Sequence, residues 1–206
     1  MSDWIIYSIG FLAQFLFSGR MIYQWIFSEK AKKVIAPRFF WQVSLFASFL
    51  LFVYGYLRND FSIMLGQSVT YFIYIRNMHM VGNWKEFSKI SRFFLLIFPA
   101  IIVIYYYNNN LMDVSNLLNN QSISKPLLIL GIAGQLLFTF RFIYQWIYSE
   151  NKKKSSLPLG FWLISLLGSG LILIYGGLRY DPVLIVGHFF GIVIYLRNIK
   201  ILRNAN

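Results

Sequence analysis

The chain has 206 residues, of which 58% are hydrophobic and 20% aromatic, while 13% are charged against about 25% in an ordinary soluble domain. The net charge of +12 would suggest nucleic acid in a soluble protein, but here the cations sit beside long apolar runs, which points to a membrane surface. There is no cysteine, so disulfides and thiolate metal sites are excluded, and no polar stretch of domain size remains outside the apolar runs.

The first apolar run, roughly 4–27, lacks a basic leader and an A-x-A-like cleavage site, so it reads as a retained span. It runs into "SGRMIYQWIFSEKAKK" (18–33), which places Arg20 inside hydrocarbon. The second run, 38–57, begins just after Pro37, tolerated where helical N–H groups are unpaired anyway. The third, 61–80, carries Gln67, Tyr74, Arg76 and Asn77, and the fourth, 90–107, is "FFLLIFPAIIVIYYY" with its flank. An asparagine-rich stretch, 108–122, separates it from the fifth run, 126–148, which ends in "TFRFIYQWIYSENKKK" (139–154). The sixth and seventh are 159–178, beginning after Pro158, and 182–201. Each is long enough at 1.5 Å per residue to cross a hydrocarbon core of about 30 Å, and helices are the form that satisfies the backbone there. The expected fold is therefore an all-α membrane protein of seven transmembrane helices.

Lysine and arginine set the orientation. With seven spans, Lys30, Lys32, Lys33, Arg38, Lys85, Lys89, Arg92, Lys152, Lys153, Lys154, Lys200 and Arg203 share one side, against Arg58, Lys125 and Arg179 on the other. The positive-inside rule makes the first side cytoplasmic, with the N-terminus outside and the C-terminus inside.

Residues 10–77 align without a gap with 131–198 at an offset of 121, and close to half the aligned positions are identical. The duplication predicts a first three-span unit in 1–82, a linker span and outer loop in 83–124, and a second unit in 125–206. The single span between the units restores direction, so the copies are expected to lie parallel about an axis along the membrane normal, as in one known transporter plan.

Arg20 is followed three and four residues on by Tyr23 and Gln24, which share its helical face, and Arg141, Tyr144 and Gln145 repeat the trio. One reading is an arginine that snorkels to the headgroups. The other is a pair of cationic faces lining one pocket between the copies. A guanidinium is permanently charged and presents a planar fork suited to phosphate, so these six residues are the candidate lipid-phosphate site. Gln14, Gln67, Tyr74, Asn77 and their partners Gln135, His188, Tyr195 and Asn198 are candidate cavity-lining residues; for Gln14 and Gln135 helix packing is an equal alternative. Glu29 and Glu150 close the first helix of each copy, where the dipole disfavours a carboxylate, so each needs a cation. Arg76 and Arg197 end the third helices on the same side, predicting the pairs Glu29–Arg76 and Glu150–Arg197 within each copy. Arg58 with Asp60, and Arg179 with Asp181, read as ion pairs in outer turns. Trp25, Trp41, Trp146 and Trp162 read as interfacial anchors. No metal-ligand spacing, Gly-rich phosphate loop or nucleophile–base set is present, so neither a cofactor nor catalysis is expected.

Each copy resembles the lipid A biosynthesis N-terminal domain. The residues that carry the likeness are Gly10, Gln14, Arg20, Gln24, Trp25, Ser28, Glu29, Pro37, Phe40, Trp41, Arg58, Asp60, Gly66, Gln67, Tyr74, Arg76 and Asn77, with their partners in the second copy. The first copy departs from the pattern at Asp60-Phe61, where the second has Asp181-Pro182, and His188 stands where the first has Gln67. The resemblance implies kinship with PQ-loop and SWEET transporters, residence in a bacterial inner membrane, and a place in envelope glycolipid metabolism near lipid A disaccharide synthase. The function it implies is a transporter or flippase for an anionic lipid, a polyprenyl-phosphate sugar or a lipid A precursor. The alternative is a non-catalytic membrane partner of a lipid glycosyltransferase, and a small-sugar carrier ranks below both. Nucleic acid is not expected as a partner.

Overall fold

A computed structural model describes residues 3–57, 61–108, 124–180 and 182–204. Seven α-helices follow one another: α1 (Asp3–Ala31), α2 (Arg38–Leu57), α3 (Phe61–Val81), α4 (Lys89–Asn108), α5 (Lys125–Lys152), α6 (Leu159–Leu178) and α7 (Pro182–Asn204), with a 3-10 turn (Asn83–Glu86) after α3. The first helix of each copy runs a few residues past its apolar stretch. Both close on a lysine in the left-handed region, Lys32 and Lys153, each at φ 52°. The returning N–H groups of Lys33 and Lys154 donate to Ser28 O at 3.2 Å and Ser149 O at 3.1 Å, satisfying carbonyls that the helix ends leave free.

Five helices are long and apolar enough to cross a bilayer among the described residues, in the stretches Trp4–Ala31, Arg38–Leu57, Lys125–Lys152, Leu159–Leu178 and Leu184–Asn204. The distribution of polarity is that of a chain surrounded by hydrocarbon. Phe15, Phe94, Leu136 and Leu167 face outward, each at least 64% exposed. Arg20, Gln24, Asn77, Arg141, Gln145 and Asn198 are buried along with six serines. In water this arrangement would expose the apolar surface and desolvate the polar groups; in lipid both placements are favourable.

Within each copy the helices pack in sequence order, α1 on α2 on α3 and α5 on α6 on α7. Between copies, α1 meets α7 and α3 meets α5, while α4 lies against α3. The two copies repeat their aromatic packing. Trp41 tilts at 41° to Tyr74 with centroids 6.1 Å apart, and Trp162 tilts at 43° to Tyr195 at 6.0 Å. Trp41 and Trp162 are fully buried in this core rather than anchored at an interface. Their helices begin immediately after Pro37 and Pro158. Trp146 is 39% exposed, and Trp25 is half-buried.

The copies differ in the small residues between their first two helices. A Cβ at Gly168 would lie 3.0 Å from the Phe138 backbone N, and one at Gly134 would lie 3.2 Å from that of Ile172. The equivalent positions in the first copy are Ala47 and Ala13, both fully buried. At Gly134 and Gly168 an added methyl would press on backbone of the facing helix, so these positions favour glycine.

Candidate functional site

Four layers of polar side chains cross the interface between the copies. The outermost, at the C-terminal ends of α1, α3, α5 and α7, holds two ion pairs. Arg197 donates from Nε and Nη2 to the Glu29 carboxylate, and Arg76 does the same to Glu150. These pairs cross between copies, whereas the expected pairs Glu29–Arg76 and Glu150–Arg197 stayed within one. The cause is packing: the third helix of each copy meets the first helix of the other at this end. Trp25 Nε1 and Trp146 Nε1 donate to Glu29 and Glu150 at 2.8 and 2.9 Å, orienting each carboxylate toward its arginine.

One turn further in lies an amide layer. Gln145 Nε2 donates to Asn77 Oδ1 at 2.9 Å, and Asn77 Nδ2 donates back to Gln145 Oε1 at 3.0 Å. Gln24 Nε2 donates to Asn198 Oδ1 at 3.0 Å. The same glutamine amides reach the loops after α1 and α5, at Ile35 O (3.1 Å) and Ser156 O (2.9 Å), and bond Ser28 and Ser149 at 2.8 Å. Gln24, Gln145, Asn77 and Asn198 therefore fasten helices and loops, and Gln24 Oε1 is buried without a hydrogen-bond partner.

The third layer contains the arginines. Arg20 is 3% exposed and Arg141 4%, so neither guanidinium reaches the helix ends. Arg20 Nη1 donates to Ser44 Oγ, and its Nη2 approaches Tyr74 OH at 3.4 Å. Arg141 Nη1 donates to Tyr195 OH at 3.0 Å. The Phe142 ring is shared by the two cations, 5.7 Å from Arg20 Cζ and 4.6 Å from Arg141 Cζ. Phe17 and Phe40 face Arg20 at 4.6 and 4.9 Å, and Phe138 lies 3.4 Å from Arg141 Cζ. The aromatic faces supply cation–π attraction, but among the described residues no carboxylate forms an ion pair with either arginine. Among the described residues the ion pairs are Arg38–Glu86, Arg76–Glu150 and Arg197–Glu29, all in the terminal layer or the loops. Both Nε–H donors, of Arg20 and Arg141, are buried without a hydrogen-bond partner. Two like charges share one aromatic neighbourhood and repel each other, so the layer is electrostatically incomplete.

Tyr23 and Tyr144 do not belong to this layer. Tyr23 packs on Phe27 and Phe39, at 4.5 and 5.4 Å, and Tyr144 lies over Gly160 on the side facing α6. Sharing a helical face with the arginine placed them near it by spacing, yet the hydroxyls come from Tyr74 and Tyr195, already expected to line the cavity. Ser44 and Phe142 were missed. Ser44 carried one usable signal, a polar residue kept in both copies within an apolar run. Phe142 carried none, since Met21 is its counterpart.

The innermost layer sets Gln14 against Gly187 and Gln135 against Gly66 of the opposite copy. A Cβ at those glycines would meet the amides at 3.6 and 3.4 Å. His188 pairs its Nδ1 with Ser169 Oγ at 3.0 Å and stands edge-on to Phe138, whereas Gln67 Oε1 is buried without a partner. Arg179 donates to Tyr175 OH at 3.2 Å. The expected outer-turn partners Arg58, Asp60 and Asp181 lie outside the described residues. Among the described residues no group of three or more histidines or acids is placed to hold a metal ion.

The family described as Lipid A Biosynthesis N-terminal domain matches residues 9–79 and again residues 130–200. A lipid-A-disaccharide synthase of Chlamydia felis (strain Fe/C-56) is 30% identical over 207 residues, covering 96% of this chain and 33% of that protein. The protein of the same name from Chlamydia pneumoniae is 30% identical over 203 residues with the same coverage, and that of Chlamydia trachomatis serovar D is 29% identical over 205. The chain thus spans about a third of the length of the curated relatives it matches. No solved structure matches it. The layers explain what the shared pattern is for, since the Gln-Trp and Ser-Glu of one copy are completed by the Arg-Asn of the other, and the chain belongs to the lipid A biosynthesis N-terminal domain family, as two copies in tandem.

Proposed function

We propose that the chain binds the phosphate of an envelope glycolipid between its two copies and carries that lipid across the bacterial inner membrane. The lipid is a polyprenyl-phosphate sugar or a lipid A precursor. The carrying observation is the uncompensated pair Arg20 and Arg141, buried at the interface with an unpartnered Nε–H on each. A buried cation without a counterion is retained at a cost, and a phosphate ligand is the group that removes it. The arrangement of parallel three-helix units joined by α4, like that of PQ-loop and SWEET carriers, is supported by the pairing of α1 with α7 and α3 with α5. It fits a two-sided carrier in which the copies rock about the arginine layer. The arginine layer is closed here, so loading requires the copies to separate at one end.

The names of the curated relatives favour a second reading. They are lipid-A-disaccharide synthases about three times as long as this chain, so the two copies would serve as the membrane part that presents a lipid to a glycosyltransferase. Both readings use the same arginines and the same place in lipid A biosynthesis.

The test has two parts. Purified wild type, Arg20→Ala, Arg141→Ala and Arg20→Lys are titrated with a lipid A precursor in nanodiscs. Loss of a charge-assisted hydrogen bond costs about 1.5–3 kcal/mol, so each alanine variant should bind roughly ten- to a hundredfold more weakly, with lysine between. Wild-type affinity in both alanine variants would refute the site. Protein-dependent movement of the lipid between vesicle leaflets then separates carrier from presenter: the carrier reading requires movement, the presenter reading none.

A further inference from the structure

Resting on the phosphate reading above, we infer that the arginine layer selects a phosphate group carrying two negative charges, a monoester or a diphosphate, over a singly charged phosphodiester. The argument is a charge count. Arg20 and Arg141 flank one ring, Phe142, so a single anion placed beside it is within the field of both. The hydrogen bonds they make inside the protein go to neutral hydroxyls, Ser44 and Tyr74 for one and Tyr195 for the other. The acids are remote. Glu29, Glu86 and Glu150 are held in ion pairs at the helix ends or loops, and Asp3 begins α1, 17 residues from Arg20. Asp60, Asp113 and Asp181 fall by sequence in the loops expected on the outer side.

A diester brings one charge and leaves one guanidinium uncompensated in a low-dielectric site. A dianion matches both charges and offers one more charged oxygen as an acceptor for the unpartnered Nε–H groups. The cost of one uncompensated buried cation is what distinguishes the two ligands. The same count disfavours polyprenyl-phosphate sugars, which are diesters, and favours diphosphate-linked sugars or lipids ending in a phosphate monoester. The charged or titratable groups around the layer are Arg20 on α1, Tyr74 on α3, Arg141 on α5 and Tyr195 on α7, with His188 behind Phe138.

The experiment uses the full chain in nanodiscs and three probes: farnesyl phosphate, farnesyl methyl phosphate and inorganic phosphate. At pH 8 the monoester should bind at least about tenfold more tightly than the diester, the size of one charge-assisted interaction. That preference should fall to within about twofold in Arg20→Ala and in Arg141→Ala, and persist in Arg141→Lys, which keeps the charge. Monoester binding should weaken as pH falls through its second ionisation near about 6, while diester binding stays level, which separates the ligand's proton from one on His188. Displacement of farnesyl phosphate by inorganic phosphate at equal concentration also supports the dianion rule and assigns a water-soluble source; failure to displace it assigns the lipid. Equal monoester and diester affinity, still lost in the alanine variants, overturns the charge count and leaves the phosphate site standing. Binding unaffected by any arginine variant overturns both.

Discussion

Replacing Asn77 by alanine is the most direct test of the cross-copy seam. Asn77 Oδ1 accepts from Gln145 Nε2 at 2.9 Å and from Ser155 Oγ at 2.7 Å, and its Nδ2 donates to Gln145 Oε1 at 3.0 Å. All three bonds join α3 to the second copy. Asn77→Ala leaves Gln145, fully buried, with a carbonyl oxygen that has lost its donor. Helix-to-helix hydrogen bonds in membrane proteins contribute about 0.6 kcal/mol on average and about 1.7 at most, and an orphaned buried acceptor costs about 1–3 kcal/mol. The expected loss is therefore roughly 2–4 kcal/mol. Asn198→Ala removes a single cross-copy bond, from Gln24 Nε2 at 3.0 Å, and should cost roughly 0.6–1.7 kcal/mol. Equilibrium unfolding by steric trapping in lipid, run as a double-mutant cycle, reads the coupling. Asn77 and Gln145 should couple by about 1 kcal/mol or more, and Asn77 and Gln24 of the same copy by less than about 0.5. Coupling within a copy and none across it would refute the seam.

The ion pairs give a second test. Glu150→Arg should lower the yield of folded protein, Glu150→Arg with Arg76→Glu should recover it, and Glu150→Arg with Arg197→Glu should not, as read by size-exclusion profiles. Gly168→Ala should destabilise by about 1–3 kcal/mol, because its Cβ meets α5 backbone rather than a flexible side chain, lowering the melting temperature by about 2–4 °C per kcal/mol. Reporters placed at residue 115 should read the outer side and those in 82–92 or 150–157 the cytoplasmic side; cytoplasmic signal at 115 would break the seven-span topology expected from the sequence, of which five described helices are long and apolar enough to span.

Most of the architecture was open to inspection in one dimension. Long apolar runs state that helices lie in hydrocarbon, because no other backbone form satisfies its own hydrogen bonds there. An ungapped offset states that the unit is built twice. The arginines could be singled out as costly in such surroundings. What could not be read was the direction in which each side chain leaves its helix. Tyr23 and Gln24 both lie near Arg20 on the helical wheel, yet Gln24 turns inward to Asn198 and Tyr23 outward to Phe39. The choice depends on where α2 and α7 lie against α1, and neither is local to that stretch.

The choice of partners shows the same division. The sequence by itself determined that Glu29 and Glu150 need cations and that Arg76 and Arg197 are the cations available at that depth. It could not say which goes with which, because a tandem duplication makes pairing within a copy and pairing across copies identical in residue types and in spacing. Only tertiary structure breaks that degeneracy. By setting the first helix of each copy against the third helix of the other, it turns one repeated motif into two seams. The same contact brings Arg20 and Arg141, 121 residues apart in the chain, within 5.7 and 4.6 Å of a single phenylalanine ring.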